Sequence, residues 1–529
     1  MASVHESDVL IIGAGHNALV CAFYLARRGL KVTMLEARPV VGGAAVTEEF
    51  HPGFRNSTAS YTVSLLNPRV IRDMRLAAHG LSVVLRRIDN FLPTESGDYL
   101  LAGRGGLTRR EIARLSPADA ENYDAYAAAL DAVVGILKRW LLRAPPNAGG
   151  GIGDLISLLK LGNEVRGLEL EAQRHLVDFF TRSAADILSR YFSHDLVQAL
   201  FGFDAVVGHY ASPYAPGTAY VLLHHVFGEA DGVPGAWGHA IGGMGAITQA
   251  MAKAARAEGA TILLDSPVEE IIVERGRASG SVAKGKAYRA RAVAAGVNPK
   301  LLFTRLLPGG AVAPEIERRM ANWQSESATF RMNVALSEPP RFTVLPEPGD
   351  QLTAGVIIAP SLDYMDRAWL TARTEGFSRE PIVEMLIPST LDDSLAPAGR
   401  HVASLFCQHF PYDVAGGWDA RRDEAADRII AQVDRYAPGF SASVIGRLAL
   451  SPLDLERRFG LVGGDIFHGK MGLDQLFSNR PLLGHADYRM PLAGLYLCGS
   501  GAHPGGGVTG APGHNAARAI LADRRRLGL

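Results

Sequence analysis

"DVLIIGAGHNALVCAFYLARRGLKVTMLEARPVVGG" (residues 8–43) reads as strand, tight turn, helix and second strand, closed by a further pair of glycines. The apolar run 8–12 is too short for a helix and stops at Gly13, as a buried strand does. Leu19, Ala22 and Leu25 then recur at helical spacing over 17–28, and 31–35 is apolar again. Gly13, Gly15 and Ala18 occupy the positions of G-x-G-x-x-G/A between that strand and that helix. Each has a mechanical reason to be small: one makes the turn, one lets backbone N–H groups approach a pyrophosphate at the positive helix end, one lets helix and sheet pack closely. Glu36 ends the second strand, where a carboxylate takes ribose hydroxyls and would repel a phosphorylated ribose. The expectation is a βαβ unit that binds a dinucleotide.

Composition narrows the partners. A chain of 529 residues is expected to form about two to four domain-sized units. Lys+Arg and Asp+Glu balance at 54 each, so no net field draws the protein to nucleic acid. Cys21, Cys407 and Cys498 are few, odd in number and far apart, which speaks against a disulfide framework or a zinc cluster and suits a reducing, cytoplasmic setting. The apolar stretch from Val9 is read neither as a signal nor as a span, because Gly13, Gly15, His16 and Asn17 interrupt it and acids precede it.

Downstream, residues 77–235 read as mostly helical, with "SPADAENYDAYAAALDAVVGILKRWLLR" the clearest helix and "APPNAGGGIGD" (144–154) a connector. The run "AVVGILKRWLLR" is basic and amphipathic, which would suit peripheral contact with a membrane, although a core-facing helix is favoured. Alternation of helix and strand resumes near Gly242, with "GAITQAMAKAARAEG", "TILLD", "VEEIIVE" and "AYRARAVAAG". The chain ends in "LYLCGSGAHPGGGVTGAPGHNAARAI" (495–520), seven glycines between a strand-like and a helical run. Such a loop is usually functional. The fold class expected is α/β: a Rossmann-like dinucleotide-binding domain assembled from 1–76, 236–298 and 465–529, with an inserted α+β substrate domain from 77–235 and 299–464.

The extended pattern G-x-G-x-x-x-L-x-x-A-x-x-L-x-x-x-G-x-x-V-x-x-L-E-x-x-x-x-x-G-G over residues 13–43 resembles the FAD signature of the amine oxidase and phytoene desaturase superfamily. Residues 212–252, "GGDIFHGKMGLDQLF" and "YLCGSGAHPGGGV" make the whole chain similar to the phytoene desaturase-related branch named for a pyridine nucleotide-disulphide oxidoreductase domain. A disulphide reductase needs a closely spaced cysteine pair, which this sequence lacks. No second strand-linked G-x-G-x-x-G points to a separate NAD(P)H domain.

The resemblance implies FAD held by Gly13, Gly15, Ala18, Glu36, Arg38, Gly42 and Gly43, by Gly243 and Val268 in mid-chain, and by Gly499, Ser500, Gly507 and Val508 in the closing loop. Many relatives carry an acid in that loop where Ser500 and Gly501 stand here. On this reading the loop's glycines make room for the cofactor. Tyr220, His224 and Trp237 are candidates for the wall of a substrate cavity, weighed against packing within the domain, and His224, His503 and Tyr220 are candidates for proton transfer. No metal site is expected, since the histidines near His224 and His239 lack a completing ligand set. The activity implied is flavin-dependent dehydrogenation of an apolar small molecule, a terpenoid, carotenoid-like or alicyclic carbonyl compound, with oxygen or a quinone as final acceptor. Amine oxidation, double-bond isomerisation and non-catalytic flavin binding are the alternatives, and no acid cluster able to hold an ammonium group is visible in the inserted regions.

Overall fold

The computed structural model describes residues 5–147 and 150–529. Its first sheet carries the opening motif. Strand His5–Ile12 lies between Val32–Leu35 and Lys286–Ala295, parallel to both, and Thr261–Leu263 extends the sheet beyond Val32–Leu35. On its other side the long strand Lys286–Ala295 is shared: its start pairs antiparallel with Arg277–Ala283, and its end pairs parallel with Leu495–Leu497. The chain thus returns after about two hundred residues to lay its last strand beside residues 293–295. Val9 to Ile12 and Ala292 to Ala295 are buried throughout, as expected of parallel strands covered on both faces.

Helix His16–Ala26 covers this sheet and packs against Met244–Ala257 and Ala511–Ala522. A Cβ on Gly513 would collide with the Asn17 carbonyl, so the last helix lies directly on the first. Met244–Ala257 ends where Gly259 takes φ +98°, the glycine stop that its sequence signalled.

A second seven-stranded sheet runs in the order Val444–Leu450, Thr329–Leu336, His401–Gln408, Ile382–Leu386, Gly355–Ile358, Asn90–Pro93, Tyr99–Ala102. Its last two strands, with Val83–Leu85, come from the region expected to be mostly helical. They are three or four residues long, too short to show an alternating pattern, and only their partners hold them extended.

The rest of that region is helical. Helix Pro117–Leu141 starts where the Ser116 hydroxyl accepts from Asp119 N–H (3.2 Å), and it buries Val133, Val134, Ile136 and Leu137. The basic amphipathic run is therefore a core-facing helix. Of the connector 144–154, residues 148 and 149 lie outside the described residues, and a helix already begins at Ile152 (Ile152–Arg166). That helix buries none of its side chains and exposes Ile152, Leu155, Ile156, Leu158 and Leu159. Among the described residues no helix is long and apolar enough to cross a membrane, and no group of three His, Cys, Asp or Glu residues could hold a metal ion.

Candidate cofactor and substrate site

A cavity of about 680 Å³ is lined by residues of both sheets, from Gly13, Gly15 and Glu36 to Tyr61, Trp237 and Phe406. Of the residues singled out in the sequence it brings together Gly13, Gly15, Ala18, Glu36, Arg38, Gly42, Gly43, Val268, Gly499, Ser500, Gly507, Val508 and Trp237.

At the turn, a Cβ on Gly13 or Gly15 would meet no protein atom within 4 Å. Gly15 has φ −67° and ψ 166°, which any residue adopts, so neither packing nor backbone strain demands glycine there. What the missing side chain leaves is a cradle over the N-terminus of His16–Ala26, a helix start with no capping side chain. Glu36 is held on both oxygens: Ala14 N–H donates to one (2.7 Å) and Arg38 N–H to the other (2.9 Å). Burial raises its pKa, while those backbone bonds and the Arg38 charge act in the opposite direction. Arg38 itself donates to the Gly43 carbonyl (3.2 Å) and pairs with Glu48 (2.6 Å). Gly42 bonds back to the Ala14 carbonyl (2.9 Å), which docks the second glycine pair on the first turn. Two buried polar atoms beside the cradle, Asn17 Oδ1 and His16 Nε2, have no protein partner. These features fit a pyrophosphate at the turn and a ribose at Glu36.

The closing loop answers its glycine question differently. Side chains on Gly499, Gly501, Gly506 or Gly507 would run into Gly296, Pro299, Phe467 and Leu65 respectively. The glycines there let the loop pack against the protein itself, and two of them, Gly499 and Gly507, also line the cavity. Ser500, in place of the family's acid, accepts from Asn17 Nδ2 (3.0 Å) and so ties the loop to the first helix. Val508 lines the cavity at φ +60°, a left-handed conformation that a β-branched residue adopts only under constraint.

Four candidates lie outside the cavity lining. His224 Nε2 donates to the Gly506 carbonyl (3.1 Å), and its ring sits edge-on to Phe227 and Phe467. His503 Nε2 donates to the Trp140 carbonyl (3.3 Å), and burial pushes its pKa down to about 4. Tyr220 packs its ring on Phe180 and Phe477, and burial raises its phenol. The contacts of all three are with the helical layer and the closing loop. Gly243, at φ +77°, lies where a side chain would meet Thr47 Oγ1 and Ser57 Oγ, and its requirement is the tight turn before helix Met244–Ala257.

The wall opposite the turn holds residues the sequence did not single out. Tyr61 O–H donates to Glu384, and its ring stacks on Phe406 at 5.1 Å. Arg331 lies over the Tyr61 ring at 4.6 Å, and Arg86 donates to Thr62 Oγ1 (2.6 Å) and lies over Trp237 at 5.5 Å. Burial raises the Glu384 pKa, opposed by Arg86, the Tyr61 hydrogen bond and Arg331. Asp204 borders the same cavity, and burial together with the Glu384 charge pushes its pKa up to about 8.

The sequence pattern of flavin-containing amine oxidoreductases matches residues 19–521. The chain belongs to this family. It is 40% identical to the rat pyridine nucleotide-disulfide oxidoreductase domain-containing protein 2, over 99% of this chain and 94% of that one. It is 26% identical to a lycopene-forming phytoene desaturase of Pseudescherichia vulneris, over 95% and 96% of the two chains. Its fold is similar to that of a triple mutant of putrescine oxidase, with a TM-score of 0.62 at 13% identity over 99% of this chain and all of that one.

Membership in the family makes this chain an FAD-dependent oxidoreductase. The rat relative's name speaks of a disulfide, whereas Cys21, Cys407 and Cys498 are all free. Cys21 and Cys498 meet although 477 positions separate them, and all three cysteines are buried. The Cys21 thiol is held far above its ordinary range by its hydrogen bond to Cys498 and by burial, which keeps it protonated and unreactive.

Proposed function

We propose that this oxidoreductase dehydrogenates an apolar small molecule, introducing a carbon–carbon double bond. The observation that carries the reading is the shared cavity, in which the glycine cradle and Glu36 open into the same space as Tyr61, Trp237 and Phe406. In this reading the Gly13–Gly15 turn and Glu36 hold pyrophosphate and ribose, Val268 lies at the adenine end, and Gly499, Ser500, Gly507 and Val508 border the flavin end. Bound FAD supplies a two-electron acceptor. The chain's own part is to orient the substrate between aromatic faces, exclude water and keep a proton-accepting carboxylate within the wall. The desaturase name of one relative supports this chemistry; the putrescine oxidase likeness is one of fold only. Arg86 and Arg331 flank Glu384 at the aromatic end, an arrangement that disfavours an ammonium group.

Two measurements test the reading. Under anaerobic conditions cyclic terpenoid compounds are expected to bleach the flavin band, and reoxidation to release a product two hydrogens lighter by mass spectrometry. Bleaching by simple amines would replace the reading with amine oxidation, and a product of unchanged mass would replace it with isomerisation. Separately, NADPH mixed anaerobically with the loaded protein is expected to reduce flavin at least about a hundredfold more slowly than substrate, because the one fingerprint of residues 13–43 is taken by FAD. Rapid bleaching by NADPH would refute that assignment.

A further inference from the structure

The acid at the aromatic end bears on which molecules the cavity accepts. Among the described residues no hydrogen bond or ion pair reaches the Asp204 carboxyl, although it borders the cavity. Its neighbour Glu384 is already engaged, accepting from Tyr61 and lying near Arg86 and Arg331. The carboxyl is half-buried and faces the cavity, so a ligand that displaces cavity water must supply it a partner. We propose that Asp204 is a substrate-binding group that donates its carboxyl proton to an oxygen of the substrate. The dehydrogenated molecule is then a neutral compound bearing a carbonyl beside its apolar skeleton. This rests on the cavity being the substrate site, as proposed above, and narrows its substrate class.

The surrounding charges agree. Glu384 on strand Ile382–Leu386 faces Asp204, and Tyr126 on helix Pro117–Leu141 senses its charge. Behind Glu384 stand Arg86, Arg331 and Tyr61, and Asp89 and Arg104 adjoin Arg86. Burial and the Glu384 charge keep Asp204 protonated at neutral pH, so it is a donor there and becomes an acceptor only as pH rises through about 8. Arg86 and Arg331, with one carboxylate between them, favour negative charge developing on a carbonyl oxygen and oppose an ammonium ion.

The probe is a matched pair: menthone, and the hydrocarbon in which an exocyclic methylene replaces its oxygen. Calorimetric titration of the FAD-loaded protein should show the ketone binding at least about fivefold tighter at pH 6.5, with the ratio falling to about one at pH 9.5. Asp204→Leu should remove the ratio at both pH values. Asp204→Asn, whose amide donates without titrating, should keep it at both, and this variant carries the test if the leucine variant does not fold. Equal binding of the pair at pH 6.5, a ratio that survives in Asp204→Leu, or a ratio in Asp204→Asn that still falls with pH would each overturn the proposal while leaving the cavity reading intact. Binding of neither compound would overturn both.

Discussion

Gly15→Val is expected to give a folded protein that is purified without flavin. The structure separates the two halves of that result. Gly15 has an extended backbone that valine adopts freely, and its Cβ position meets no protein atom within 4 Å, so the fold has no quarrel with a side chain there. The same position stands over the unoccupied donors of the first helix turn, where a pyrophosphate must come within hydrogen-bond reach of backbone N–H groups. A branched side chain holds the phosphates off, and loss of two or more charge-assisted bonds corresponds to at least about a hundredfold in affinity. Far-ultraviolet circular dichroism should match the parent, and cofactor released by denaturation should fall below a tenth of it. Gly513→Val is the control of opposite kind: its side chain collides with the Asn17 carbonyl, so it should unfold the protein whether or not FAD is added. Full flavin content in Gly15→Val would remove Gly15 from the site.

The contrast between these two glycines shows where the sequence was legible. Residues 8–43 are a contiguous pattern whose strand, turn, helix and acid all act locally, and the observed elements differ from the expected ones by three residues or fewer at each end. The closing loop stands out in the sequence by its glycines, but these serve contacts with Gly296, Pro299 and Phe467, which no local rule reveals. Least legible was the aromatic end of the cavity. Tyr61 and Glu384 are 323 positions apart, and Glu384 sits in "IVEML", a strand-like run in which one acid looks incidental. Asp204 lies in a single turn of three residues with no motif around it. Histidine is chemically versatile, which makes His224 and His503 candidates on sequence alone. Their burial against carbonyls and aromatic rings is a property of the assembled helical layer, invisible in residues 220–225 or 503 alone.

Arg480→Met should be the most destabilising single substitution in the second half of the site. Arg480 is fully buried and distributes its guanidinium over four carbonyls, those of Ser500 (2.9 Å), Phe467 (2.8 Å), Gln475 (3.2 Å) and Gly469 (3.3 Å). It thereby staples the closing loop to the segment 467–475. Burial lowers its pKa to about 10, still far enough above neutrality to keep it charged, with Asp465 supplying the opposing charge. Methionine fills much of the volume but leaves those carbonyls short of donors and Asp465 uncompensated, a loss of about 3–5 kcal/mol. A shift of several degrees or more in the thermal midpoint is expected, and Arg480→Lys should recover only part of it, since one ammonium cannot reach all four acceptors. The effect should also reach the cofactor. Ser500, whose carbonyl Arg480 holds, accepts through its hydroxyl from Asn17 at the start of the first helix, so a slack loop loosens both ends of the site together. Saturating FAD should therefore raise the midpoint of Arg480→Met by less than it raises the parent's. An equal rise in both proteins would confine Arg480 to folding, and an unchanged midpoint in Arg480→Met would show that the loop is anchored by something else.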